Sequence, residues 1–71
     1  MAKPKSYVEQ TIDAVREGIA SGTWKQTLPP VRTLCRTLMV SYPTLHAALR
    51  ALAAEGVVEL RQGRPTRICR S

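Results

Sequence analysis

Phenylalanine is missing from this 71-residue sequence, and Tyr7, Trp24 and Tyr42 are its whole aromatic complement. A core must therefore be built from Leu, Val, Ile and Ala. Cysteine is scarce as well. Cys35 and Cys69 make no disulfide framework, and without a Cys-x-x-Cys pair or a Cys/His cluster no zinc-ligand spacing exists. No apolar run approaches the roughly 20 residues that span a bilayer. The basic amino terminus has no apolar stretch behind it, so no secretory signal is visible. These absences predict a cytoplasmic chain with reduced thiols. A nucleophile–base pair, a carboxylate dyad and a glycine-rich phosphate loop are also missing, so an enzyme finds no support, and no cofactor or metal is expected.

Acid is the other thing in short supply. Five carboxylates stand against eleven Lys and Arg, for a net charge of +6 and a pI near 10.2. Such a balance favours a polyanionic partner, either nucleic acid or an anionic membrane. Placement is more telling than the total. The acids are Glu9, Asp13, Glu17, Glu55 and Glu59. None lies between Gly18 and Ala54, where Lys25, Arg32, Arg36 and Arg50 sit, and none follows Glu59, where Arg61, Arg64, Arg67 and Arg70 follow. A solvated face explains many charge runs; this segregation of sign points to an anion-binding face. The length suits one small domain with a modest core and no deep substrate cavity.

Residues 1–5 read as a disordered basic arm and 6–70 as the domain. Ser6 followed by Glu9 makes a capping box. Val8, Ile12, Val15 and Ile19 share one helical face, and Ser21-Gly22 stops the helix, giving a first helix over about 6–20. Residues 23–29 form a linker in which Gln26-Thr27-Leu28 suits a short edge strand. Pro30 opens a second helix of about three turns, with Val31, Leu34, Cys35 and Leu38 as its stripe and a buried, inert Cys35. Met39-Val40 is the turn. Ser41 caps a third helix, Pro43 fits its first turn, and Leu45, Ala48, Leu49 and Leu52 face inward before Gly56 ends it. The period then changes to two. Val57–Arg61, with Val58 and Leu60 on one face, and Thr66–Cys69 flank a Gln62-Gly63-Arg64-Pro65 turn. The sum is a mainly α fold with a small β-hairpin: three helices plus a wing, a winged helix-turn-helix. No internal repeats or low-complexity segments interrupt it.

Several short motifs in order carry a resemblance. Leu28-Pro-Pro-Val-Arg-Thr-Leu34, Val40-Ser-x-x-Thr-Leu45, Ala48-Leu-x-x-Leu52, Glu55-Gly56 and Gly63-Arg-Pro-Thr66 resemble the winged-helix DNA-binding domain of GntR-type regulators over about residues 7–68. The resemblance implies a bacterial transcription regulator that binds palindromic double-stranded DNA operators as a homodimer. It also implies a larger C-terminal domain that takes a small-molecule effector. The chain stops just after the wing, so it reads as the N-terminal piece of a longer regulator, with a stand-alone domain as the other possibility. Two departures stand out. The family usually has Arg after the serine at position 41, to read a guanine; here Tyr42 and then Pro43 follow. The Gly22–Leu28 loop is about two residues shorter and lacks Pro-Gly.

On this reading the recognition helix, about 42–55, enters the major groove and the wing, 61–68, reaches the adjacent minor groove. Arg32 is off the apolar stripe and, by resemblance, meets DNA rather than merely solvent. Arg36, one turn on, is a phosphate contact or a solvated side chain. Ser41, Tyr42, Pro43 and Thr44 form the helix tip. Ser41 caps and reaches a phosphate. Tyr42 either meets a phosphate or thymine methyl or staples the helix to its neighbour. Pro43 pre-sets the turn and touches a thymine methyl; Thr44 offers a hydroxyl and a methyl. His46 and Arg50 share one side of the helix, as a groove contact and a phosphate contact, and Ala47 lets the backbone come close. Gln62, Gly63 and Arg64 make the wing tip, where an arginine suits a narrow minor groove, with Arg67 behind it. Trp24 packs beside the linker. The competing reading is a winged helix that binds protein instead of DNA.

Overall fold

The computed structural model describes residues 6–61 and 63–69. Its element order is α1 (Tyr7–Ala20), α2 (Val31–Leu38), α3 (Tyr42–Ala54), β1 (Val58–Glu59) and β2 (Arg67–Ile68). Three helices and a two-stranded antiparallel hairpin make a mainly helical winged helix.

The capping box at α1 forms in full. The Glu9 N–H donates to Ser6 Oγ at 3.1 Å, and the Ser6 N–H donates to Glu9 Oε1 at 3.0 Å. Two of the donors that a helix start leaves without partners are thus satisfied by side chains. The buried line of α1 is Thr11, Val15 and Gly18, with Ile12 and Ile19 packed at its margins and Val8 only half-buried. The expected stripe is therefore rotated by about one residue. Thr11 tolerates burial because its hydroxyl donates to the Tyr7 carbonyl at 2.7 Å. Gly18 is buried because Trp24 lies across it. A Cβ there would stand 2.3 Å from the Trp24 ring.

Gly18→Ala is a helix-favouring change by about 1 kcal/mol in an open position. Against the Trp24 ring, overpacking costs about 1–3 kcal/mol. We expect the clash to win, with a net loss of about 1–2 kcal/mol, read as a Tm lower by roughly 5–10 °C. A Tm at or above the parent value would mean that the indole swings aside without cost.

All three helices stop in the same way. After α1, Gly22 takes φ +83° and the Thr23 N–H donates to the Gly18 carbonyl at 2.9 Å. After α3, Gly56 takes φ +80° and the Val57 N–H donates to the Leu52 carbonyl at 3.0 Å. Glycine carries no Cβ penalty in this left-handed region, so both stops were foreseeable. The stop of α2 uses Met39, at φ 57°, with the Val40 N–H donating to the Cys35 carbonyl at 3.0 Å. Its side chain is 89% exposed. This early stop also corrects the length of α2, which has 8 residues, about two turns rather than three. Pro30 is its N-cap, with ψ 149°, and not its first helical residue.

The core consists of Val15, Leu28, Leu34, Leu45, Ala48, Leu49, Leu52, Val57, Val58 and Ile68. The whole predicted stripe of α3 is buried, and α3 packs mainly on α1. Cys35 is half-buried at the edge, not fully enclosed as expected. An ion pair joins α1 to the end of α3, Arg16 Nη2 to Glu55 Oε1 at 2.7 Å. Both partners are exposed enough that such a pair adds little.

The hairpin is shorter than its alternation suggested. Val58 pairs with Ile68 and Glu59 with Arg67. Val57 is buried in the core, while its N–H belongs to the stop of α3 and its carbonyl accepts from the Cys69 N–H. The ladder ends at Glu59, so Leu60 is not inward with Val58 but 39% exposed. The expected edge strand at 26–28 is realised as a single bridge, Thr27 to Arg67. Its backbone bonds are Leu28 N–H to Thr66 O at 2.9 Å and Ile68 N–H to Gln26 O at 2.8 Å.

Candidate nucleic-acid interface

The packing of Leu34 against Leu45 and Leu49 in one core presents the outer side of α2 and the tip of α3 together. On that side Arg32, Arg36, Ser41, Tyr42, Pro43, His46, Ala47 and Arg50 are exposed, and Thr44 is half-buried. No carboxylate occurs anywhere in this segment.

Arg32 and Tyr42 come together. With Val31 and Cys35 they line one open cleft between α2 and the start of α3. Tyr42 lies against α2, yet it remains 57% exposed. It also stacks on His46, with ring centroids 5.6 Å apart and planes 19° from parallel. The stack follows from spacing, since positions i and i+4 are neighbours on a helix surface. It joins two separate candidates into one aromatic pair, of a kind worth about 0.5–1.5 kcal/mol.

Ser41 is a correction. It occupies the N-cap of α3 in extended conformation, but its side chain makes no capping bond. Its hydroxyl donates instead to Thr44 Oγ1 at 3.0 Å. The first backbone bond of α3 runs from the Leu45 N–H to the Ser41 carbonyl at 3.0 Å. Pro43 has no N–H to satisfy, and the Tyr42 and Thr44 N–H groups receive no side-chain cap. A helix start in this condition carries partial positive charge and donors suited to an anion. The Thr44 hydroxyl, accepting from Ser41, remains able to donate outward.

The wing turn holds Gly63, at φ +72°, and exposed Arg64. Gln62 lies outside the described residues. Arg67 is exposed on β2. Two cations were not singled out from sequence. Arg61 flanks the turn, where its Nε donates to Glu59 Oε1 at 3.1 Å. Lys25 sits in the linker, in a cleft shared with Arg61, Arg64 and Arg67. A period-2 reading carried through the turn would have found Arg61. Nothing local in the sequence brings Lys25 to the wing; the Thr27–Arg67 bridge does.

Three of the five acids have partners that the structure shows, one of them on the wing. Glu9 belongs to the α1 capping box, Glu55 to Arg16 and Glu59 to Arg61. Among the described residues no group of three or more His, Cys, Asp or Glu side chains could hold a metal ion, and no helix is long and apolar enough to cross a membrane.

The family model of the bacterial regulatory proteins of the gntR family matches residues 7–68. No curated protein sequence matches significantly. Among solved structures, GntR of Streptococcus agalactiae is 34% identical, with a TM-score of 0.77, over 87% of this chain and 31% of its own. YydK of Bacillus subtilis, 20% identical, superposes with a TM-score of 0.84 over 93% of this chain and 30% of its own. The N-terminal domain of AraR, solved in complex with mutant ORR3, is 20% identical, with a TM-score of 0.84 over 94% of this chain and 99% of its own. The likeness to YydK and AraR is one of fold. The chain spans about a third of the length of YydK and of the streptococcal protein.

Proposed function

The chain belongs to the GntR family of bacterial regulatory proteins, and from that membership we propose that it reads one half-site of a palindromic operator in double-stranded DNA. A DNA-binding regulatory domain is what family and fold establish. The finer docking is our reading. The tip of α3, Ser41 to Thr44 with His46 behind it, enters the major groove. Arg32 reaches a base edge or phosphate beside Tyr42; Arg36 and Arg50 hold phosphates. The wing turn, Gln62, Gly63 and Arg64, with Arg67, meets the adjacent minor groove.

The observation that carries this is the meeting of Arg32 and Tyr42 in one exposed cleft, whose lining holds no carboxylate. Phosphate contacts supply most of the affinity in such an interface, and base contacts the choice of sequence. A single module of this size buries only about 600–1,000 Å². One domain therefore binds weakly, and tight binding comes from a homodimer on two half-sites. Regulation by a small molecule on a further domain, repression as the output, and a cytoplasmic place of action complete the proposal.

The test is a salt titration with a duplex selected from a random pool. Neutralising four to six phosphates gives a log–log slope of about −4 to −5. No binding to any duplex at low salt would replace this reading with a winged helix that docks on protein.

A further inference from the structure

The wing turn is bounded by a cleft on each side. Toward α2, Pro29, Pro30 and Val31 face Arg61, Gly63 and Arg64 across a cleft of about 410 Å³. On the other side, Lys25 and Thr27 face Arg61, Arg64 and Arg67 across a cleft of about 470 Å³. Arg61 and Arg64 line both. The outer cleft has four cations and no acid among its lining residues. Glu59, the cross-strand partner of Arg67, gives a carboxylate oxygen to Arg61.

Lys25 is held in this position from both directions. On one side Trp24 is lodged against Gly18 of α1. On the other, the Gln26 carbonyl accepts from the Ile68 N–H, and Thr27 bridges to Arg67. The linker is thus tied to β2 through this single bridge, and its lysine lines the outer cleft together with Arg61, Arg64 and Arg67.

We propose that the wing straddles the minor groove and grips both of its phosphate strands. One strand lies in the α2-side cleft. The other lies in the outer cleft, on Lys25 and Arg67, which makes Lys25 a DNA-binding residue. The geometry suits the ligand. A minor groove is only about 6 Å wide, so a turn seated in it has a phosphodiester chain on either flank. Two clefts that share Arg61 and Arg64 match two strands of one charge. This rests on the DNA reading above and adds the second strand to it.

The test uses the full chain and a duplex selected from a random pool, with affinity followed by fluorescence anisotropy from 50 to 200 mM salt. The Lys25→Ala, Arg67→Ala double variant should weaken every duplex alike and lower the salt slope by about 1.8. The ratio of wild-type to variant affinity then changes about twelvefold across that range. Lys25→Ala alone, which removes no strand residue, should lower the slope by about 0.9. Neutral methylphosphonate linkages stepped along each strand should reveal one outer-strand stretch that weakens the wild type and leaves the double variant indifferent. An unchanged slope in both variants, while Arg32→Ala still weakens binding, overturns the two-strand grip alone. If the wild type itself binds no duplex at low salt, the DNA reading fails and takes the grip with it.

Discussion

Replacing Arg32 by alanine is expected to weaken operator binding by about 5- to 150-fold while leaving the fold intact. The size follows from a charged side chain that makes a base or phosphate contact worth about 1–3 kcal/mol. Preservation of the fold follows from its place. Arg32 is exposed, off the buried Leu34 line, and belongs to none of the described salt bridges. Arg32→Lys separates the two contacts. Lysine keeps the charge but loses the planar fork. Near-complete rescue by lysine assigns a phosphate, and a persisting loss confined to some sequences assigns a guanine. Affinity equal to wild type, with a native circular dichroism spectrum, would remove Arg32 from the interface.

Leu45→Ala should act in the opposite sense, through stability. Leu45 is completely buried beside Leu34, Leu49 and Leu52. Truncating such a leucine costs about 2–5 kcal/mol, from lost transfer energy and the cavity that remains. A domain of this length is expected to have only about 4–11 kcal/mol in total. Much of the variant should therefore be unfolded at 37 °C, with a urea midpoint far below the parent's. On the proposed function, duplex DNA at a hundredfold excess over its Kd should restore about 2.7 kcal/mol, since only the folded form would bind it. A loss below about 1 kcal/mol would show that the three helices close over the gap, contrary to the tight core described.

Much of this could be read from residue order because the helices are punctuated locally. Ser6 with Glu9, Gly22, and Gly56 each act within a turn of their own position. The α3 stripe was readable because leucine and alanine fall at i, i+3 and i+4 with nothing polar among them. Two-residue strands left little room for alternation, so Leu60 was misplaced and Val57 overlooked. Met39 hides a left-handed turn behind a side chain that rarely adopts one. Gly18 is plain in the sequence, yet its reason is Trp24, which lies beyond the helix stop. Ser41 has a residue type that predicts a cap, and Thr44 drew its hydroxyl away. The site followed the same division. Which cations are exposed was legible; that Arg32 meets Tyr42, and that Lys25 meets Arg67, depends on how elements pack, and spacing within one element carries no such information.

The partition of α3 has an evolutionary consequence. Leu45, Ala48, Leu49 and Leu52 hold the helix from behind, while Tyr42, Pro43, His46, Ala47 and Arg50 contribute none of that core. The outward letters can thus be rewritten with the scaffold left as it is. A lineage of such domains can therefore drift from one binding sequence to another without ever passing through an unfolded ancestor.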